Sequence, residues 1–279
     1  MNVMSIDVED WFCVYNLSRH IPLAEWGRCE SRVERNTLRL LELFRKHRVE
    51  ATFFVLGWVA ERFPELVQEI EHEGHEVASH GHSHRLLTQM TPEEFRSDLQ
   101  RSLDVLRKIT RQEVVGFRAP SFSLTRQTLW AVDILKDTGI RYDSSVFPVA
   151  FHPDYGMADA ALEPYELLED LTELPMGVAE VMGRRIPCSG GGYFRLYPYA
   201  LTRYLMRRCN AQGRPVIFYL HPWEIDPGQP RVLGLPWSAR YRHYNNLERT
   251  EERLERLMND FSFTSARKLL SAPMTQITR

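Results

Sequence analysis

Three histidines stand in the pentapeptide HGHSH, at His80, His82 and His84, in a chain that has ten in all. Positions i and i+4 share a face of a helix, and a tight turn after a strand gives the same pairing, so His80 and His84 can grip one ion while His82 points away. Acids gather in DVED, at Asp7, Glu9 and Asp10, and single polar residues stand out at Arg118 in FRAP, Asp143 in YDSS and His221 in YLHPWE. Two imidazoles and one carboxylate are the ligand set of a catalytic zinc that keeps an open position, and also of non-haem iron. Water in that open position becomes a source of hydroxide near neutral pH. The remaining groups complete a kit for hydrolysing an amide or ester: a carboxylate to accept the proton, an arginine to hold it ionised, and a histidine to protonate the leaving group. Each residue also has an ordinary structural use: DVED as a helix cap, Arg118 as partner of a carboxylate, Asp143 as an Asx turn, His221 as a core or loop histidine.

For that kit to assemble, residues more than 200 positions apart must meet. Short β-branched runs predict strands over Asn2 to Asp7, Ala51 to Leu56, His75 to Ser79, Val114 to Phe117, Ile140 to Ser144, Leu171 to Leu174 and Val216 to Leu220. Between them lie helical patterns. Ser31 to Arg48 places Val33, Thr37, Leu40, Leu41 and Phe44 on one face, and Glu61 to Glu73 forms a helix around Pro64. Thr91-Pro92-Glu93-Glu94 is a capping box with proline at the first helical position, continued by Phe95, Leu99, Leu103 and Leu106. Further helices are expected near Arg126 to Asp137, Tyr197 to Cys209 and Thr250 to Phe261, then Phe263 and a short C-terminal helix. Strand and helix in turn specify an α/β protein with a mainly parallel sheet, open or closed into a barrel. In either architecture the carboxyl ends of the strands collect the chemistry. The acids of DVED, the HGHSH histidines, Arg118, Asp143 and His221 each follow a predicted strand.

Composition narrows the partners. With 35 Lys plus Arg against 37 Asp plus Glu the formal net charge is -2, which gives no reason to expect nucleic acid or an anionic membrane unless a local patch supplies it. Hydrophobic residues make up 43% of 279 residues, enough for one large core, and no repeat, linker or low-complexity tract divides the chain. The longest nearly uncharged run, Ala51 to Ala60, is too short for a membrane span. MNVMSIDVEDWF has no basic region followed by an apolar stretch, so a soluble cytoplasmic protein is expected. Cys13, Cys29, Cys188 and Cys209 form no CxxC pair and are read as buried thiols.

The ordered motifs SIDVED, ATFFVLGWVAERFPELV, GHEVASHGHSH, GFRAPSFS and FYLHPWE resemble the polysaccharide deacetylases, the NodB homology domain of carbohydrate esterase family 4. The later stretches YDSSVFP, GGGYFR and HPWEIDPGQPR are similar to the subgroup linked to exopolysaccharide and exosortase loci. The resemblance implies an irregular (β/α)7-type barrel over residues 1–279, with a subgroup-specific extension from about 222. It implies Asp7 as the base, His80 and His84 as metal ligands with His82 at a variable position, and Arg118 as the arginine that orients the base. The backbone amide of Ser121 becomes the oxyanion donor and His221 the general acid, its tautomer fixed by Asp143. Most members have adjacent aspartates in the first motif, whereas here the acids run Asp7, Glu9, Asp10. An Asp-x-Asp pattern then makes Glu9 the carboxylate ligand, since alternate strand residues share a side, with Asp10 in reserve. Ser121 stands where many members carry an aromatic residue, leaving Tyr193 or Trp223 to wall the sugar site.

The implied reaction is N-deacetylation of an N-acetylated sugar with a divalent ion, zinc first and cobalt, iron(II) or nickel as alternatives. The implied partner is an N-acetylated glycan or a lipid-linked or nucleotide-linked sugar; self-association as a homo-oligomer is left open. His221 to Asn246 is long for a connection and is read as a lid, a rim or a structured surface loop. Two rival readings have other chemistry: an amidohydrolase acting on a small amide or imide, and a non-catalytic sugar-binding protein of the same fold.

Overall fold

Asn2–Val8 is buried along all seven residues, as a strand covered on both faces must be. In the computed structural model, which describes residues 1–150 and 156–272, it is an interior strand of the sheet. In chain order the strands are β1 (Asn2–Val8), β2 (Thr52–Val55), β3 (Glu76–Ser79), β4 (Gly116–Phe117), β5 (Tyr142–Asp143), β6 (Tyr165–Leu168), β7 (Leu171–Glu173), β8 (Val178–Val181), β9 (Arg184–Pro187), β10 (Ile217–Leu220) and β11 (Phe263–Thr264). The helices are α1 (Val33–His47), α2 (Gly57–Arg62), α3 (Pro64–His72), α4 (Pro92–Ile109), α5 (Ala131–Asp137), α6 (Gly191–Leu196), α7 (Tyr199–Ala211), α8 (Trp237–Tyr244), α9 (Thr250–Asp260) and α10 (Ala266–Ser271).

Seven strands run parallel in the order β10-β1-β2-β3-β4-β5-β7, with β6 antiparallel at the β7 edge and β11 paired to the start of β1. This is the expected α/β architecture with the sheet curled into an irregular barrel. Its seam is bridged by a 3.4 Å backbone hydrogen bond from Gly177 N to Ile217 O, where a Cβ on Gly177 would stand 2.5 Å from Val216. Helices cover the outside. Val33, Thr37, Leu40, Leu41 and Phe44 of α1 are buried, as are Phe95, Leu99, Leu103 and Leu106 of α4. The α4 capping box is formed reciprocally: Thr91 Oγ1 accepts from Glu94 N at 3.2 Å and Glu94 Oε2 accepts from Thr91 N at 2.9 Å.

Side chains alternate across β1, so Met4, Ile6 and Val8 pack under the helices, while Val3 joins Phe54, Ala78, Tyr142, Ile217 and Tyr219 inside the barrel. Ser5 and Asp7 share the inner side with Val3. Register then sets the level of the site: Asp7 lies beside Phe54, which lies beside Ala78, and Ile6 lies beside Leu220, so Asp7, the HGHSH turn and His221 emerge at one rim.

Several local expectations change. The helix expected over Glu61 to Glu73 is two helices, broken at Phe63 before Pro64, since proline disfavours a helical residue ahead of it. The hairpin β8-β9 and helix α8 have no counterpart among the expected elements. Cys13, Cys188 and Cys209 are buried free thiols, but Cys29 is only partly buried. Among the described residues no helix is long and apolar enough to cross a membrane.

Candidate active site

The HGHSH turn is shaped by Asp98 of α4, whose carboxylate accepts from His82 N at 2.7 Å and from the amide and hydroxyl of Ser83. Gly81, at φ 70°, makes the turn, and His84 closes it at φ 53°, a conformation uncommon for a non-glycine residue. The result brings His80 and His84 together, ring centroids 5.3 Å apart, and turns His82 outward against Gly57, its Nε2 3.9 Å from Glu61.

Glu9, His80 and His84 each offer a donor atom, all within 4.8 Å of one another and all buried. His80 Nδ1 lies 2.8 Å from the carbonyl of Arg118, to which it can only donate, so the lone pair sits on Nε2. Burial and the neighbouring His84 hold the His80 imidazole well below its ordinary value, hence neutral. His84 Nε2 is 2.8 Å from Glu9 Oε2, and that buried oxygen has no other hydrogen-bond partner. Burial works against charge on Glu9, but His84, His221 and His80 outweigh it and leave its carboxyl below the usual range. A buried carboxylate oxygen beside two imidazole nitrogens, with no donor but His84 near it, is a donor set that fits a divalent ion. Asp10 does not share in it. Its Oδ2 accepts from Ser31 Oγ, Arg32 N and Val33 N at 2.6, 2.8 and 3.1 Å, so it caps the start of α1.

Asp7 and Arg118 form a buried pair beside this cluster. Arg118 Nη1 donates to Asp7 Oδ1 at 2.7 Å and to Ser5 Oγ at 2.9 Å, Nε donates to Ser144 O at 2.9 Å, and Nη2 to Ser144 Oγ at 3.0 Å. The guanidinium also lies 4.1 Å over the Phe54 ring. With four of its five N–H donors committed, Arg118 fixes one oxygen of Asp7 and leaves Oδ2 facing the site, 3.9 Å from His221 Nε2.

His221 is held from behind by Glu224, a residue the sequence reading passed over. Nδ1 of His221 is 3.0 Å from Glu224 Oε2, and Nε2 faces Glu9 Oε1 at 3.4 Å. Burial opposes its charge, but Glu224, Glu9 and Asp7 together raise His221 to about 9. Glu224 is itself pushed down to about 2, against burial, by Arg195 and His221; Arg195 Nε donates to its Oε1 at 2.8 Å. Room for this carboxylate comes from GGGYFR: a Cβ on Gly191 would fall 1.7 Å from Glu224 Oε2, and one on Gly190, at φ 94°, would fall 2.4 Å from the Tyr219 ring.

Asp143 is therefore not the partner of His221. It is the last residue of β5, where Oδ2 accepts from Ser145 N at 3.1 Å, the Asx turn that YDSS also allowed, and Oδ1 accepts from Ser145 Oγ at 2.6 Å. Its strand neighbour is Glu173; burial raises both carboxyls, and the neighbouring Asp143 adds to the rise at Glu173. Ser145 Oγ in turn accepts from Ala119 N at 2.7 Å, so Asp143 braces the FRAP segment from below. Trp223 also needs correcting as a stacking wall. Its indole, 4% exposed, stacks on His221, at 5.2 Å and 22°, and on His243, at 4.5 Å and 10°, while Nε1 donates to Glu9 Oε1 at 3.3 Å. No face is left for a ligand; Trp223 braces the histidine and the acid.

These groups open into a cavity of about 340 Å³. Asp7, Glu9, His80, His84 and His221 form its floor, with Ser121, Tyr193, Tyr219 and Tyr241 on the walls. Ser121 and Phe122 are consecutive left-handed residues, φ 52° and 56°, which swing the chain past the cavity after Arg118. The long segment after His221 contributes α8, whose Tyr241, Arg242 and His243, with Asn245, complete the rim.

Comparison with known proteins gives a family match in two parts. Residues 28–142 match a family model described as polysaccharide deacetylase, and residues 144–271 match one described as a domain of unknown function. The chain is 33% identical over 117 residues to the peptidoglycan deacetylase of Helicobacter pylori, a stretch covering 42% of this chain and 39% of that protein. It is 33% identical over 97 residues to the chitooligosaccharide deacetylase of a Bradyrhizobium strain, covering 34% of this chain and 42% of the relative. These matches span well under half of each relative's length. Among solved structures, a candidate polysaccharide deacetylase of Mycobacterium smegmatis superposes with a TM-score of 0.62 at 20% identity, over 99% of this chain and 91% of that one. A CE4 family pseudoenzyme of Bacillus anthracis gives 0.52 at 16%, over 97% of this chain and 65% of that one. Likeness at this level concerns the fold, which an enzyme and a pseudoenzyme share.

Proposed function

Residues 28–142 belong to the polysaccharide deacetylase family, and from that premise we propose that the chain is a metal-dependent hydrolase that removes N-acetyl groups from an N-acetylated sugar of a glycan or its precursor. The observation that carries the reading is the meeting, in one cavity, of the Glu9–His80–His84 donor set, the Asp7–Arg118 pair and the His221–Glu224 pair. Two imidazole nitrogens and one carboxylate oxygen favour zinc, with cobalt, iron(II) or nickel as substitutes. When bound, such an ion supplies a polarised acetyl carbonyl and a water of lowered pKa.

The chain's own residues do the proton work. Arg118 fixes one oxygen of Asp7 and aims its free Oδ2, which takes the proton of the attacking water. His221, protonated, gives the proton on Nε2 to the departing nitrogen as the C–N bond breaks, while Nδ1–H stays on Glu224. Acetate and a free amino sugar result, and one water is consumed. The amide of Ser121 is proposed as a donor to the oxyanion and Tyr193 as the stacking wall. The test is acetate release from N-acetylglucosamine oligomers by purified protein loaded with each ion in turn. Turnover that a chelator abolishes and added ion restores is the expected result; no release from any N-acetylated sugar in the presence of bound ion would refute the proposal.

A further inference from the structure

The chain's overall charge is slightly negative, yet no Asp or Glu lies between Asp226 and Glu248, while Arg231, Arg240 and Arg242 do. None of the three forms an ion pair among the described residues. The same segment exposes large apolar side chains: Leu233 is 88% exposed and Trp237 77%. Trp237 stacks on Tyr241, one turn along α8, at 5.4 Å and 18°. This surface borders the cavity, since Tyr241 and Arg242 line its rim together with the exposed Leu196.

The patch is held rigidly to the site. Arg195, the partner of Glu224, also donates to the carbonyls of Arg242, His243 and Asn245 at 2.9, 3.2 and 2.8 Å, which ties the end of α8 to the general-acid pair. Arg231 lies 4.2 Å over the Tyr244 ring but meets no acid, and arginines without acidic partners among a protruding leucine, a tryptophan and a tyrosine form a surface complementary to negative charge lying over an apolar layer. A second copy of the chain does not satisfy it: a two-fold contact through this face would bring six arginines together with no acid between them.

We propose that residues 231–242 dock the protein on an anionic lipid surface, with Leu233 and Trp237 entering the headgroup layer and Arg231 and Arg240 on lipid phosphates. Docking there turns the mouth of the cavity toward the headgroups. If the deacetylase reading also holds, its substrate is a saccharide presented at that surface; the docking itself does not rest on that reading. It predicts binding of the full chain to vesicles of phosphatidylglycerol and phosphatidylcholine, weakened by salt, and no binding to phosphatidylcholine alone.

Vesicle flotation and tryptophan quenching by brominated lipid test this without turnover. Arg231→Gln and Arg240→Gln are expected to weaken binding about fivefold each, and the Leu233→Ser/Trp237→Ser pair to abolish it. Both side chains are exposed, so melting temperature and turnover of a soluble N-acetylglucosamine oligomer should hold. Quenching should disappear in Trp237→Phe. Failure of the unmodified chain to bind anionic vesicles overturns the proposal, as does binding that survives Leu233→Ser/Trp237→Ser. A self-association that those substitutions abolish in the absence of lipid overturns it too. Absence of deacetylation with vesicle binding intact would instead strike the catalytic reading alone.

Discussion

Glu224→Gln separates the acid arrangement found here from the one the strand order suggested. The group it supports, His221, is raised from 6.5 to about 9 despite burial, with the hydrogen bond to Glu224 the largest supporting cause. At pH 8 a group of pKa 9 is about nine-tenths protonated, and one returned to 6.5 is about 3% protonated, so loss of charge alone costs about thirtyfold in the acid form. Glutamine keeps the shape but neither the charge nor a dependable acceptor for Nδ1–H, and the misdirected ring adds to the loss, for a total fall of about 10² to 10⁴ in kcat. The sign is fixed. A general acid works below its pKa, so removing the carboxylate must draw the alkaline limb of the rate profile toward lower pH.

The substitution also strands Arg195, which is 2% exposed, and an uncompensated buried charge destabilises by about 3–5 kcal/mol. Partial unfolding would scale the rate at every pH alike, whereas loss of the acid moves the limb. The assay is therefore acetate release as a function of pH, on ion-loaded protein, well below the melting temperature of the variant. Asp143→Asn serves as control and should leave the limb where it is. A limb that does not move in Glu224→Gln, or that moves equally in Asp143→Asn, refutes the assignment.

His80→Ala or His84→Ala should lose bound ion, measured by elemental analysis after dialysis, whereas His82→Ala should keep it, because His82 faces Glu61 and not the donor set. Gly191→Ala should fold less stably and lose most activity, because its methyl would overlap Glu224; circular dichroism and the pH–rate profile together distinguish displacement of the acid pair from global unfolding. Stability should fall as pH drops through the window from about 6.5 to about 4. Burial lowers His75 to about 4 and His243 to about 3, so unfolding takes up protons there, at up to about 1.4 kcal/mol per pH unit for each histidine. In denaturant titrations across that range, His243→Gln should flatten the slope by about one proton; an unchanged slope would mean that His243 is charged in the folded protein.

What could be read from sequence was whatever depends on strand ends. Asp7 and Glu9 alternate on one side of an extended run, His80 and His84 are set by a four-residue spacing, and Arg118 and His221 each follow a strand that the parallel sheet brings to the same rim. The same rule overreached at Asp143, which ends β5 beside the strand of Arg118, but whose carboxylate is taken by the local Asx turn and packs against Glu173. Asp10 was legible as a helix cap from its composition alone, although not as the particular cap of α1. Glu224 left only a faint signal, an acid three residues after His221 in HPWE. Its partner Arg195 left none, since a pairing across 29 residues is decided by packing. Helix α8 escaped notice because RVLGLPWSARYRHY lacks an apolar stripe: its buried face is Ala239, His243 and Tyr244, and its apolar residues Trp237 and Tyr241 point outward.

Two buried arginines organise the site in parallel, and their energetics argue that function keeps them. Arg118 is fully buried against Asp7, and Arg195 nearly so against Glu224. Pairs so deeply desolvated are commonly no more stabilising than well-packed apolar residues of the same volume. Each arginine, however, does what an apolar residue cannot. Arg118 spends three further donors on Ser5 and Ser144, fixing one oxygen of the acid that takes a proton. Arg195 spends its own on carbonyls of the cavity rim, fixing the acid that holds the proton donor. The two carboxylates thus sit at neighbouring places for opposite purposes, one accepting a proton and one keeping His221 able to give one. Each is anchored to a different wall of the cavity. Movement of the α8 wall then reaches His221 both through Arg195 and Glu224 and through the stacked His243 and Trp223, while Asp7 and Arg118 are held from other strands. Arg195→Lys should accordingly shift the alkaline limb and leave the acidic limb unmoved, because a lysine can pair with Glu224 but cannot also bind three carbonyls in the plane of a guanidinium.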